Sequence, residues 1–510
     1  MSKVISFQEH LRPALPEVRG CKDYRDEQEL LERIDRVLRV SGVEDAFLRE
    51  SAEIFEARAA KQAAGGCAAK DGERARRAHT EHSRRALRCT ILLRLCAGSF
   101  RKTSRGLAMS PLYRWFVGLP ELGGIRVPGK STLQRYGQWL PEERMEKVLG
   151  ELLAAASDGQ KAACMGLERE LDTSCVWVDV TCLKACIHFP TDWVLLRDAV
   201  RTIVKCILTI RRHGLRHRMG APEQFLGAVN ALSMRMAAAG RRGRPAGKKE
   251  RKALLRLLKK LTRVVEAHGR RYRKLLDEHW RESDLRTRAE AEVILRRLDN
   301  VLDKLPEARR QAHERIIGGR QIANKEKMLS LYQEDVHVIV RGKAGAEVEF
   351  GNGLFLGESA EGFIVDHELR REMPPDDGRW LRQRLPGLKA KCGCGEWELT
   401  ACADRGFDSA GTTGCLEQEK VVNAVCPRNA AEMARRCAEE PGFKGLLRRR
   451  AGTEARIAIV KNLFLDGVPR AKGFERRRAQ VAWAVLTHNL WVVARLALAA
   501  AKAKEKLLAA

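Results

Sequence analysis

The spacing of apolar and polar positions divides the chain into long helical stretches and a smaller strand-rich part. Apolar residues recur every three or four positions over 26–62 and 84–155, which predicts amphipathic helices. A first clear strand is predicted at 173–181, and the helical pattern then continues to about residue 330. β-type alternation returns further on, where the predicted strands are His337–Val340, Glu347–Phe350, Leu354–Leu356, Gly362–Val365, Glu398–Ala403 and Val421–Val425.

Turn signals and a last set of helices complete this pattern. Gly351-Asn352-Gly353 and residues 358–361 are predicted turns, since Gly and Asn favour the backbone conformations that turns need. Helices are predicted at 430–440, 443–465 and 475–504. The order of one strand, a long helical block, several strands and further helices predicts an α+β fold, and 510 residues are enough for more than one domain.

The charge balance narrows the class of partner. Lys and Arg outnumber Asp and Glu by 95 to 66, a formal net charge of +29, which favours a polyanionic partner such as DNA. The segment 241–274 contains 15 Lys or Arg and only two acidic residues, Glu250 and Glu266. We expect this run to contact DNA phosphates, and a solvated helix face is the alternative interpretation.

Two shorter segments offer more specific DNA contacts. Gly240–Pro245 resembles the core of an AT-hook, which would place Arg242 and Arg244 in a narrow minor groove, but a Gly/Pro linker between two helices also explains so short a motif. Pro128-Gly129 followed by a helix start suits a helix-turn-helix reader of the major groove, and an ordinary helical bundle is the alternative. The candidate base contacts on that helix are Ser131, Thr132, Gln134 and Arg135.

Cysteine usage and hydropathy favour a cytoplasmic protein. The 15 cysteines are scattered and odd in number, which is typical of reduced thiols rather than of a disulfide scaffold. We expect neither a signal peptide nor a membrane span, and the apolar run at 491–501 is interpreted as a core helix. Cys392, Cys394 and Cys402 lack the usual zinc-ligand spacing and a nearby His, so their role stays open.

Three acidic residues are the candidate catalytic and metal-binding groups. Asp179 closes the first apolar strand, Asp404 closes the predicted Glu398–Ala403 strand, and Glu454 lies within a predicted helix. Two strand-end carboxylates and one on a helix suit a pair of Mg²⁺ ions, which prefer oxygen ligands and promote phosphoryl transfer. The alternative is that any one of them only solvates the surface, as most of the 66 acidic residues do.

From about residue 84 onward the sequence resembles the DDE transposases of bacterial insertion sequences. Leu112–Leu119 and Pro128–Leu133 resemble the family's DNA-binding region, and Thr487–Trp491 is similar to its closing helix. The family's first catalytic aspartate block is similar to Val178–Thr181 together with His188–Asp192. Its second block is similar to Ala403–Ser409.

The third catalytic block can be compared by spacing. Many of these transposases carry Tyr, Arg, Glu and Lys on one helix, and Arg450, Glu454 and Lys461 match the last three positions. Leu447 stands where Tyr would be, which puts the role of that Tyr in doubt here. The resemblance implies that Arg450 and Lys461 contact the DNA backbone beside the metals, and solvated basic residues are the alternative.

The resemblance implies a ribonuclease H-like catalytic domain at 171–190 and 336–510, interrupted by a basic helical insertion at 191–335. A helical region at 1–83 and a helical DNA-binding domain at 84–170 would precede it. The expected activity is Mg²⁺-dependent cleavage and strand transfer of DNA, with Mn²⁺ as a substitute, by a nucleoid-associated homodimer or higher oligomer bound to the element's terminal repeats. A metal-dependent nuclease and a non-catalytic DNA-binding protein with a vestigial core are the alternatives.

Overall fold

The computed structural model describes residues 15, 17–64, 72–96, 98–119, 124–189, 191–241, 244–343, 346–393, 399–469 and 471–509. It is an α+β structure in which a mixed six-stranded sheet is flanked by helices. Arg242 and Cys394 lie outside the described residues.

The N-terminal part is helical, as its apolar periodicity predicts. Its helices are α1 (Lys22–Val40), α2 (Val43–Ala64), α3 (Gly72–Leu95), α4 (Phe100–Met109), α5 (Pro111–Val117), α6 (Lys130–Tyr136), α7 (Glu142–Ala156) and α8 (Gly159–Met165). The predicted domain boundary at residue 84 lies inside α3. Apolar residues of these helices share one core with the C-terminal helix and with part of the sheet, so the N-terminal helices are packed directly against the strands.

The sheet is built around the strand that carries Asp179. Its strands are β1 (Cys175–Lys184), β2 (His337–Lys343), β3 (Ala346–Glu358), β4 (Ile364–Leu369), β5 (Thr400–Ala403) and β6 (Val422–Val425). Strand β1 pairs antiparallel with β3 and parallel with β5, which in turn pairs parallel with β6. Strands β2 and β4 both pair antiparallel with β3.

The predicted turn at Gly351-Asn352-Gly353 is wrong, because β3 runs through it as one strand. These glycines serve close packing instead. A Cβ at Gly351 would collide with the Leu183 carbonyl of β1, and one at Gly353 would lie 2.9 Å from the Trp380 ring. A small residue in a strand interior can thus mark a close approach rather than a chain reversal.

The helical insertion between β1 and β2 has a core of its own. It consists of α9 (Asp192–Arg212), α10 (Pro222–Arg241), α11 (Arg244–His279) and α12 (Arg288–Ala312). The described residues of the AT-hook-like segment lie at the end of α10 and the start of α11, which fits the linker interpretation.

Helices cover both faces of the sheet. One face packs on α13 (Asp377–Cys392) and α14 (Ala410–Gln418), and the other packs on α16 (Phe443–Ile459), with α15 (Ala430–Glu439) beside it. Helix α17 (Phe474–Ala509) is, among the described residues, the one helix long and apolar enough to cross a membrane by length and composition. It packs against the N-terminal helices and β4, and 67% of its apolar window is buried, which fits a core helix.

Candidate active site

Asp179 and Asp404 lie at matching positions on neighbouring parallel strands. The register joins Trp177 of β1 to Cys402 of β5, and each aspartate follows its partner of that pair by two residues. Paired positions on neighbouring strands are about 5 Å apart, and residues two apart on one strand share a face. Asp179 on β1 and Asp404, which directly follows β5, therefore lie at the same end of two neighbouring strands.

The shared face is the one that α16 covers. Trp177 and Cys402 pack against the first two turns of α16, where the contacting residues are Phe443, Leu446 and Leu447. Both aspartates are half-buried. Asp404 Oδ1 accepts a hydrogen bond of 2.8 Å from the Gly406 amide and so caps the short helical turn that follows β5. This contact holds the carboxylate at the end of its strand.

Glu454 shares a cavity with Asp179. The cavity, about 440 Å³, lies between β1 and the end of α16 and is lined by Asp179, Glu454 and Lys461 among others. Glu454 and Lys461, seven positions apart, thus face the same space, as their helical spacing predicts. Asp404 is not in this lining but follows β5 on the same side of the sheet.

Lys461 sits in a π-helical turn, Val460–Phe464, that continues α16. Its Nζ donates hydrogen bonds to Thr181 Oγ1 at 3.2 Å and to the Cys182 carbonyl at 2.8 Å. Thr181 is two positions after Asp179 on β1, so the ammonium is anchored beside the carboxylate. A π turn of this kind is often found at functional sites.

Arg450 and Leu447 differ in their surroundings. Arg450 is half-buried and has no hydrogen-bond or ion-pair partner among the described residues, which leaves it available for an anionic ligand. Leu447, at the position of the family's Tyr, packs against the apolar cluster around Trp177.

A buried ion-pair group behind α16 was not anticipated from the sequence. Glu358, at the end of β3, is 2% exposed and binds Arg449 at 3.2 Å and Arg456 at 3.1 Å. Arg449 also donates to the Ser359 carbonyl, so it is occupied within the fold rather than free for DNA. A Cβ at Gly362 would collide with the Arg456 guanidinium. These contacts fix α16, and with it Glu454, against the sheet.

The closing helix α17 also supports this arrangement. The Asn489 side chain accepts from the Ile364 amide at 2.9 Å and donates to its carbonyl at 2.8 Å, which ties α17 to β4. Burial, with Arg456 nearby, lowers the pKa of His488 to about 3, although the hydrogen bond that His488 Nδ1 donates to Asn489 Oδ1 opposes the shift. His488 is therefore a neutral core residue at physiological pH.

The candidate base-reading helix is short but exposed. Helix α6 begins after Gly129 without a side-chain cap, buries Leu133 and Tyr136, and turns its other side outward. Residues 118–129 separate α6 from α5, and 120–123 lie outside the described residues; this connection is longer than the three or four residues of a helix-turn-helix turn. Of the four predicted base contacts, Thr132 is half-buried and accepts a 3.4 Å hydrogen bond from Arg135, and the exposed ones are Ser131, Gln134 and Arg135.

The basic run lies on α11, whose apolar stripe faces the core of the insertion. Six of its basic residues are exposed and have no ion-pair partner among the described residues; they are Lys248, Lys249, Arg256, Lys260, Arg263 and Arg271. A row of unpaired cations along one helix is suited to a phosphate backbone.

Cys392 and Cys402, the two of these three cysteines that the structure describes, belong to no group of potential metal ligands among the described residues. Cys402 Sγ lies 3.5 Å from Cys175 Sγ on β1. The hydrogen bond with Cys175 and burial raise the pKa of the Cys402 thiol, so it stays protonated rather than becoming the thiolate that binds zinc. The Cys392 carbonyl accepts from Thr173 at 3.2 Å.

Other acidic residues near the site are accounted for by protein contacts. Asp366 of β4 is buried and pairs with Arg384 and with Lys391, the latter at 2.7 Å. Asp408 accepts a hydrogen bond from the Arg428 amide at 2.7 Å, and Ser409 caps the next helix.

Comparison with models of known protein families, with curated proteins and with solved structures finds no match. Function is therefore inferred from the residues and their geometry.

Proposed function

We propose that this protein is a metal-dependent DNA transposase of the DDE type, with Asp179, Asp404 and Glu454 as its catalytic carboxylates. The observation that carries the proposal is their common location. Asp179 and Asp404 lie at the same end of the adjacent strands β1 and β5, and Glu454 lies on the helix that covers the same face and shares a cavity with Asp179. Asp179 and Glu454 line one cavity, and Asp404 directly follows the strand that pairs with β1, although 225 and 50 positions separate the three acids in sequence.

The strand order supports a ribonuclease H-like domain. In the series β4-β3-β1-β5-β6 the first three strands are antiparallel neighbours and the last three are parallel. The first aspartate lies on the central strand and the second follows the parallel neighbour. The helical insertion begins after β1 and ends at β2. Strand β2 is an extra strand that pairs with the N-terminal half of β3. The core is thus interrupted without breaking its order.

The donor set fits Mg²⁺. All three side chains offer carboxylate oxygens, the ligands that Mg²⁺ prefers, and few protein ligands suffice because DNA and water complete the shell. Asp179, Asp404 and Glu454 would hold the metal. Mg²⁺, when bound, would supply activation of the attacking oxygen and stabilisation of the leaving oxygen.

The two basic residues of the site, Lys461 and Arg450, contact the DNA backbone in this proposal. Lys461, anchored on Thr181 and facing the cavity, holds a positive charge where a phosphate beside the reacting one would lie. Arg450 supplies a second charge on the same helix. In the proposed reaction water first cleaves a phosphodiester at the element end, and the freed 3′ hydroxyl then attacks target DNA by in-line displacement.

DNA binding outside the reaction centre is assigned to two surfaces. The unpaired cations of α11 contact phosphates without reading sequence, and the exposed side chains of α6 contact base edges of the terminal repeats. The basic insertion follows β1, the strand that carries Asp179, and we propose that DNA held by the insertion continues to the reaction centre.

The proposal is tested with the DNA that flanks the coding sequence in its own element. The full-length protein is incubated with those fragments and a target plasmid in Mg²⁺, and cut and joined strands are mapped to the nucleotide. We expect cuts at two fixed ends with free 3′ hydroxyls, followed by joined products. Cuts without joining would indicate a nuclease, and binding without cuts would indicate a vestigial core; either result overturns the proposal.

A further inference from the structure

A second group of potential metal ligands lies outside the proposed active site, between the N-terminal helices and the sheet. It consists of Glu142 and Glu146 of α7 and His367 of β4, and one ligand atom from each lies within 4.8 Å of the others. The two glutamates are four positions apart and so project from the same side of their helix. Strand β4 supplies the imidazole from the opposite side.

Among the described residues, no side-chain hydrogen bond of His367 accounts for its burial. Its side chain is 2% exposed, and Nε2 lies 3.3 Å from Glu146 Oε1 without making a hydrogen bond. A buried ring nitrogen without a partner, aimed at a carboxylate, is costly unless a cation lies between the two.

The second oxygen of each carboxylate is held by a basic residue. Lys391 Nζ lies 3.1 Å from Glu146 Oε2, and Arg478 Nε lies 2.7 Å from Glu142 Oε2. These contacts fix the orientation of the carboxylates and leave one oxygen of each for another ligand. Such outer contacts are typical around metal-bound carboxylates.

The group is separate from the three catalytic carboxylates, although it lies on the same face of the sheet. Leu356 of β3 pairs with Asp179 on one side and with His367 on the other. His367 is therefore two strands from Asp179, about 10 Å, with the apolar Leu356 between them.

We propose that Glu142, Glu146 and His367 bind one Zn²⁺ ion that fastens α7 to β4. An imidazole with two carboxylates suits Zn²⁺ better than Mg²⁺, because Mg²⁺ prefers an all-oxygen shell. The fourth position is open to water. The ion joins the N-terminal helices to the catalytic sheet, so its role is to hold the two parts in register. This inference does not rest on the proposed function.

The test uses full-length protein freed of metal by a chelator and kept in excess Mg²⁺, which occupies the catalytic carboxylates. Zn²⁺ binding is measured by equilibrium dialysis and by the rise in the thermal midpoint. We expect one Zn²⁺ per chain and a higher midpoint. His367→Gln and Glu146→Gln should weaken binding by more than the roughly 10- to 100-fold typical of outer contacts.

Glu151→Gln is the matched control, because Glu151 lies on the same helix but pairs with Arg49. It should bind Zn²⁺ as the unmodified protein does. Wild-type Zn²⁺ affinity in His367→Gln would overturn the proposal. X-ray absorption of the Zn²⁺-loaded unmodified protein gives an answer even if a variant fails to fold. A shell of nitrogen and oxygen with one imidazole is expected, and sulfur ligands from the cysteines would contradict it.

Discussion

Asp179 and Asp404 each follow by two residues the same paired position, Trp177 with Cys402, on two adjacent parallel strands. This relationship places two aspartates that are 225 positions apart in sequence at the same end of adjacent strands. With Glu454 on the covering helix it defines a site in which positioning and charge, rather than a covalent nucleophile, would carry the chemistry.

Lys461 is predicted to act on bound DNA rather than on the metal. Lys461→Ala should weaken strand transfer and the binding of cleaved ends, because its ammonium faces the cavity from an anchor on Thr181. The Mg²⁺ concentration that gives half-maximal cleavage should stay near that of the unmodified protein, whereas Glu454→Gln should raise it. Lys444→Ala, an exposed position on the same helix, is the control. A Lys461→Ala protein that needs much more Mg²⁺ but holds cleaved ends normally would reverse these roles.

The six unpaired cations of α11 are predicted to contact phosphates. Replacing all six by Gln should reduce the slope of log affinity against log salt by roughly five, at about 0.9 for each lost contact. Affinity is measured on duplex DNA of unrelated sequence over a salt series. Arg310→Gln with Arg435→Gln, which alters cations already paired with glutamates, should change the slope much less. An unchanged slope in the six-residue variant would place this helix away from DNA.

Buried, neutral His488 is predicted to make the fold sensitive to acid. Its pKa is about 3 in the folded protein against 6.5 as the ordinary value, so below pH 6.5 only the unfolded chain takes up the proton. Stability should therefore fall by about 1.4 kcal/mol per pH unit from this group as pH drops from 6.5 toward 3, and level off below that.

Denaturant unfolding across this pH range measures the effect. His488→Gln should flatten the pH dependence, while the exposed His188→Gln should keep it. Equal slopes in both variants would show that the acid sensitivity comes from other groups.

Glu358 is predicted to be a positioning residue for α16. Glu358→Gln would leave Arg449 and Arg456 without their buried partner, and it should cost about 2–3 kcal/mol, below the roughly 3–5 kcal/mol of fully buried pairs because both arginines are partly exposed. Thermal unfolding is the measurement, and the exposed Glu417→Gln should be neutral. A loss no larger than that of the control would mean that the ion pairs do not hold the helix.

The sequence predicts local features of this fold better than its long-range contacts. Strand ends and helix periodicity can be recognised from short stretches of sequence. Asp179 and Asp404 were predicted from their positions at strand ends, and Glu454 from its position in a predicted helix. The ion pair between Glu146 and Lys391 joins residues 245 positions apart, and the sequence pattern around neither residue predicts it. Gly351 and Gly353 show the same limit, because the sequence does not distinguish a glycine required by close packing, against β1 or against Trp380, from a glycine in a turn.

The most direct test of the central claim compares Asp404→Asn with Asp408→Asn in Mg²⁺-dependent cleavage of the element's own flanking DNA. Both changes remove one charge from the same loop, but Asp408 accepts a hydrogen bond from the Arg428 amide and is not one of the proposed metal ligands. We predict that Asp404→Asn loses cleavage while still binding DNA, and that Asp408→Asn retains most of it. Cleavage by Asp404→Asn at the rate of the unmodified protein would contradict the account.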